Sequence, residues 1–171
     1  TAARDTTQGI LDAPFERVRI LSITPNITIE LRDNPLNPRR GYFGEISLEL
    51  AEDFFGLLGT ESFTRLTTRH SGYIPLGRNV TLALNARFGV GFGSIYNGFR
   101  NKQRYALPLG ERFLLGGVNT VRGFARDSIR VTGTDEVGGD IMFTVNTELR
   151  YPIIPSINLY GTVFMDAGQL A

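Results

Sequence analysis

Asn79-Val-Thr-Leu-Ala-Leu-Asn-Ala-Arg-Phe-Gly-Val-Gly-Phe-Gly93 decides the fold. Val80, Leu82, Leu84, Ala86, Phe88, Val90 and Phe92 occupy every second position, against polar or small residues that include Asn85 and Arg87. A period of two places all apolar side chains on one face of a strand, and helical spacing does not compete. The run also exceeds the roughly 5–6 residues usual in soluble sheets. A tilted strand needs roughly 9–11 residues to cross a bilayer.

The same alternation recurs on both sides. Leu21, Ile23, Ile27, Ile29 and Leu31 alternate with Ser22, Thr24, Asn26, Thr28, Glu30 and Arg32. Ile46, Leu48 and Leu50 alternate with Glu45, Ser47 and Glu49. A less regular strand covers about Ser62 to Ile74, with Arg65, Thr67 and Arg69 on its polar face. Ile141, Phe143, Val145, Leu149 and Tyr151 oppose Asp140, Thr144, Asn146, Glu148 and Arg150. Last come Ile157, Leu159, Val163 and Met165 against Asn158, Thr162 and Asp166.

Short turn-rich links, Asp33–Pro38, Pro75–Asn79 and Pro152–Ser156, alternate with long ones, about Ala51–Glu61 and Ser94–Gly138. Asp and Asn bond their own backbone in such turns, and proline fixes the chain direction. Short turns at one end of the strands and long loops at the other suit a membrane barrel. Tyr42, Phe43, Tyr73 and Tyr151 lie beside the short turns, and Phe54, Phe55, Phe63 and Phe92 near the long loops. Two such clusters are expected to form interfacial girdles. About six strands leave two open edges, which hydrocarbon does not tolerate, so either strands outside this chain complete the barrel or several copies assemble; part of a larger barrel is the preferred reading.

Composition agrees and excludes other classes. A chain of 171 residues allows one domain, and a net charge of +1 speaks against nucleic acid as partner. With no cysteine, neither a disulfide framework nor a thiolate metal site can form. No apolar run approaches the roughly 20 residues of a transmembrane helix. The mean hydropathy of -0.06 is compatible with a barrel, since alternate residues face a polar lumen. His70 is the single histidine, and no metal-ligand spacing, phosphate loop or nucleophile elbow occurs. No enzymatic activity, metal or cofactor is expected.

Two motifs point further: Val121-Arg122-Gly123-Phe124 within the long link, and Phe164-Met-Asp166-Ala-Gly168 on the last strand. With the strand pattern from about Arg19 to Gly168, they resemble the Omp85 superfamily, whose members include bacterial surface antigens and the central subunit of the β-barrel assembly machine. The resemblance implies that residues 1–171 form part of one C-terminal barrel domain. They would supply about six antiparallel strands of a roughly sixteen-stranded barrel. It also implies that the link at about 94–138 folds back into the lumen, with Val121, Arg122, Gly123 and Phe124 at its tip. Asp166 first and Glu148 second are the expected inner-wall partners of Arg122. Alternation independently points both carboxylates into the lumen, where a buried charge needs a partner. A simple hairpin about Ile154 places Asp166 near Met142, roughly 20 Å from Glu148. The two would then not share one guanidinium without shear or a bulge.

The implied function is assembly and insertion of outer-membrane β-barrel proteins in a bacterial outer membrane. Nascent barrels would be the clients, outer-membrane lipid the surroundings, and accessory lipoproteins and periplasmic chaperones further partners. A two-partner secretion translocase and a small structural barrel are the alternatives. Gly89, Gly91 and Gly93 end their strand either to admit the loop against the wall or for flexibility alone.

Overall fold

The computed structural model describes residues 19–52, 61–77, 79–93, 106–157 and 159–171. Phe54, Phe55 and Asn158 of the expectations above lie outside them. The described strands are β1 (Ser22–Ile23), β2 (Asn26–Glu30), β3 (Gly41–Ala51), β4 (Phe63–Pro75), β5 (Thr81–Gly93), β6 (Ile141–Ile154) and β7 (Leu159–Leu170). They form one antiparallel sheet in chain order, with β1 and β2 both paired to β3. Among the described residues the sheet does not close, and β7 lies at its other edge. β3 to β7 run 11, 13, 13, 14 and 12 residues, each long enough for the roughly 9–11 residues of a membrane strand.

The expected first strand, Leu21 to Arg32, is two strands. Proline has no backbone N–H to donate, and the ladder breaks at Thr24 and Pro25, where Pro25 only accepts a bond from the Leu48 amide. The two pieces nevertheless occupy one position across the sheet, since they pair with successive parts of β3.

Register fixes which face each residue takes, since directly opposed residues share a face. Across β4 and β5, Arg65 opposes Gly91, Thr67 opposes Gly89, Arg69 opposes Arg87 and Ser71 opposes Asn85. Across β6 and β7, Asn146 opposes Asp166 and Glu148 opposes Phe164. The long loop packs against this polar, glycine-bearing face, which is therefore the inner one. On the outer face Leu84, Phe88, Phe92, Ile141, Phe143, Leu149, Val163 and Met165 are all exposed. Such a face suits hydrocarbon.

The girdle expectation needs correction. Tyr42 and Phe92 do face outward, but Phe43, Phe63 and Tyr73 are in register with inner residues. They serve as aromatic platforms under cations: Arg32 and Arg69 lie over Phe43, Arg65 over Phe63 and Arg150 over Tyr73. The single histidine, His70, is on the outer face, where its Nδ1 lies 2.6 Å from the Tyr42 hydroxyl.

The β2–β3 turn is held by its own side chains. The Asp33 carboxylate accepts from the amides of Asn34, Arg39 and Arg40, and Asn34 Oδ1 from those of Leu36 and Asn37. Led by the bond from Arg39, these amides hold the Asp33 carboxyl below its ordinary range.

The buried apolar cluster is not between two sheets. It joins Ala51, Phe63 and Leu170 at the long-loop ends of the strands to Leu107, Phe113, Leu115 and Val121 of the loop. The fold is thus a curved wall with a loop pressed onto its inner surface.

Candidate functional site

Three wall glycines decide how close the loop lies. A Cβ added to Gly91 would stand 2.2 Å from Leu107 Cδ1, and one on Gly89 would stand 2.6 Å from the Phe113 ring. On Gly168 it would meet Val121 Cγ2 at 2.8 Å and Leu115 Cδ2 at 3.0 Å. The glycines of the inner wall therefore accommodate close approach, which decides between the two readings of Gly89 and Gly91. Backbone pairing holds the loop's shape above them. Phe113 and Gly139 exchange both amide bonds, the Ile129 amide donates to Leu115, and the Gly91 amide donates to Asp140.

Turn chemistry then sends the tip inward. Gly116 and Gly117 have φ of +116° and +96°, and a Cβ on Gly116 would lie 2.4 Å from the Ala125 carbonyl oxygen. The Gly116 amide donates to Thr120 Oγ1, and the Thr120 carbonyl accepts from Asn146 Nδ2 of β6. Gly123 adopts φ of +89° with open space around it, so its need for glycine is conformational.

Arg122 is thereby delivered to two carboxylates. Its Nε and Nη2 donate to the two oxygens of Asp166, each at 2.7 Å, and its backbone amide donates to Asp166 Oδ2 at 2.9 Å. Nη1 donates to Glu148 Oε1 at 2.7 Å. The other Glu148 oxygen accepts from Nε and Nη2 of Arg150, at 2.8 and 2.7 Å. The Asp166 side chain is 2% exposed, against 24% for Arg122 and 19% for Glu148. Planar, bidentate recognition of this kind is specific to arginine, because lysine offers only a point charge.

The structure thus brings Arg122, Asp166 and Glu148 together, and the simple hairpin register is corrected. Asp166 opposes Asn146, not Met142, which places it one inner-face position from Glu148. A 3-10 turn at Pro155–Ile157 moves the centre of the hairpin beyond Ile154, and the pairing slips between Pro152 and Ile154. Val121 is buried against Gly168, whereas Phe124 is more than half exposed.

Some contributors escaped the sequence reading. Phe164 faces inward, and the Arg122 guanidinium carbon lies 3.7 Å from its ring centroid. Its signal was an aromatic residue on an otherwise polar face, between Thr162 and Asp166. Asn146 and Arg150 were legible as polar-face residues without a role. A second strut joins Arg65 to Glu49 of β3 at 2.6 Å and to the Glu111 carboxylate of the loop at 3.2 Å. Beside the tip a polar cavity is lined by Asn85, Arg87, Asn119, Arg122, Glu148 and Arg150. Among the described residues no group of His, Cys, Asp or Glu could hold a metal ion. Chemically the site is a clamp of charge-assisted hydrogen bonds around one cation.

Comparison with known proteins bears on the family and the fold. The model of the Omp85 superfamily domain matches residues 16–171. A SAM50-like protein of Schizosaccharomyces pombe is 32% identical over 136 residues, covering 77% of this chain and 26% of that protein. The outer membrane protein assembly factor BamA of Neisseria meningitidis serogroup B is 29% identical over 151 residues, covering 81% of this chain and 17% of that one. The crystal structure of BamA from Haemophilus ducreyi lacking POTRA domains 1–3 superposes with a TM-score of 0.71 at 21% identity, over 87% of this chain and 29% of that one. The chain thus spans about a quarter or less of the two curated relatives. With a family match over nearly its whole length and the arginine of one motif seated on the aspartate of the other, the chain belongs to the Omp85 superfamily.

Proposed function

We propose that this chain is part of the membrane barrel of an outer-membrane protein assembly factor. Its clients would be nascent outer-membrane β-barrel proteins, and its surroundings outer-membrane lipid. The observation that carries this reading is the loop tip clamped to the inner wall by Arg122, within a family that includes a relative named for outer membrane protein assembly. Such a factor uses no cofactor and performs no covalent chemistry. A barrel with a weak seam offers a free strand edge, and client strands add to it through main-chain hydrogen bonds. The clamp braces loop against wall and does not touch the client. Accessory lipoproteins and periplasmic chaperones complete the set of partners in a bacterial cell. The two curated relatives come from a fungus and a bacterium, so family membership alone does not choose the kind of outer membrane. The bacterial one is our reading.

Depletion of the full-length protein in its own cell tests this, with several unrelated outer-membrane barrels quantified afterwards. A fall in all of them is expected. Normal barrel levels with loss of one secreted protein would overturn the proposal in favour of a dedicated exporter.

A further inference from the structure

The β2–β3 turn touches a strand that is not its neighbour. Asn37 Nδ2 donates to the Tyr160 hydroxyl of β7 at 3.0 Å, across a sequence separation of 123. Three strands, β4, β5 and β6, stand between β3 and β7. Four strand spacings amount to roughly 19 Å along a sheet. A hydrogen bond closes that gap only if the wall curves and the turn crosses its inner side. The faces agree: Tyr160 opposes Pro152 and shares the inner face with Thr162 and Phe164. Pro38, next to Asn37, is buried, and so is Pro152.

The turn is stiff enough for one bond to matter. A single neutral hydrogen bond does not order a free turn, because fixing each backbone residue costs about as much as the bond contributes. Here the ordering is local. The side chains of Asp33 and Asn34 hold the amides of Asn34, Leu36, Asn37, Arg39 and Arg40. At the base, Arg32 Nη1 donates to the Pro35 carbonyl at 3.4 Å while its guanidinium lies over the Phe43 ring. Asn37 is therefore presented to Tyr160 from a preformed turn, and little further ordering opposes the contact.

The other end of the same strands is bridged as well. There Ala51 of β3 and Leu170 of β7 belong to one buried cluster with Leu107, Phe113, Leu115 and Val121 of the loop. Asp166 and Phe164, which receive Arg122, lie on β7 between the two bridges.

We propose that the β2–β3 turn is a tie across the inside of the wall. It fixes the curvature from β3 to β7 at the short-turn end, as the loop cluster does at the long-loop end. β3 to β7 then move as one body, which keeps Asp166 in place beneath the loop tip. The proposal does not depend on the assembly role.

The test measures the distance across the wall in the full-length protein, in lipid nanodiscs and in a background without other cysteines. Spin labels go on Ile46→Cys and Val163→Cys, exposed positions on the outer face of β3 and β7. Pulsed dipolar spectroscopy should give one narrow distance. Asn37→Ala and Tyr160→Phe should each bring in a second distance at about five times its share in the parent, as loss of one neutral hydrogen bond implies. The double variant should match either single one, since both remove the same bond. Leu36→Ala, in the same turn but 97% exposed, should change nothing. Unchanged distances in both variants would overturn the proposal, as would a broad distribution in the parent. So would an additive double variant, or an equal change in Leu36→Ala.

Discussion

The loop meets the wall near the long-loop end mainly through apolar packing and at its tip mainly through charge-assisted hydrogen bonds. Near the long-loop end, Leu107, Phe113 and Leu115 press into positions that Gly91, Gly89 and Gly168 leave open. That contact is apolar and non-directional, so it supplies area and tolerates small displacements. At the tip, Arg122 makes four hydrogen bonds of fixed direction to Asp166 and Glu148 over the Phe164 ring. Its geometry admits one position. The difference teaches that packing holds this loop in the lumen, whereas the clamp decides where within the lumen its tip rests.

Four substitutions would break or sharpen that division. Arg122→Ala should have the largest effect, because it leaves Asp166 buried without its cation. Removing one partner of a buried pair costs about 3–5 kcal/mol, and the partial exposure of Arg122 puts the expectation at the lower end. Limited proteolysis should then cut the tip faster while the segment around Phe113 stays protected. Gly89→Ala should act on the other anchor, at about 1–3 kcal/mol, since the added methyl meets the Phe113 ring. Amide exchange at Phe113 and Gly139 should rise while the Arg122 clamp persists. Phe164→Leu removes the ring beneath the guanidinium and should weaken tip docking by about 1 kcal/mol, read by the same proteolysis. Glu148→Gln should do least, below about 1 kcal/mol, because Asp166 keeps both of its side-chain bonds to Arg122. If Glu148→Gln instead matched Arg122→Ala, the ranking of the two carboxylates would be wrong.

Strand positions and faces were legible because period two acts locally. β3 to β7 needed only the alternation of their own residues. What escaped depends on partners far away in sequence. Pro25 splits the first strand only because β3 must find donors there, and the run Leu21 to Arg32 does not display that need. The β6–β7 register turns on a short helical turn and a slip near Ile153, and these determine whether Asp166 and Glu148 can share Arg122. Phe43, Phe63 and Tyr73 resembled girdle residues by their place near strand ends. Their direction is set by cross-strand register, and with it their role beneath arginines. The site's three charged residues were legible from alternation together with a family resemblance, while Phe164 was hidden by its neighbour's charge. The apolar anchor was open in sequence, since a wall glycine looks the same whether or not a loop covers it.

A double-substitution cycle tests the clamp most directly. Arg122→Ala, Asp166→Ala and the double variant would be made in the full-length protein, and tip opening measured by amide exchange across residues 118–125. The account predicts strong coupling, at least about 2 kcal/mol, with the double variant scarcely looser than Arg122→Ala alone. Additive effects would contradict it, and would mean that packing alone positions the tip.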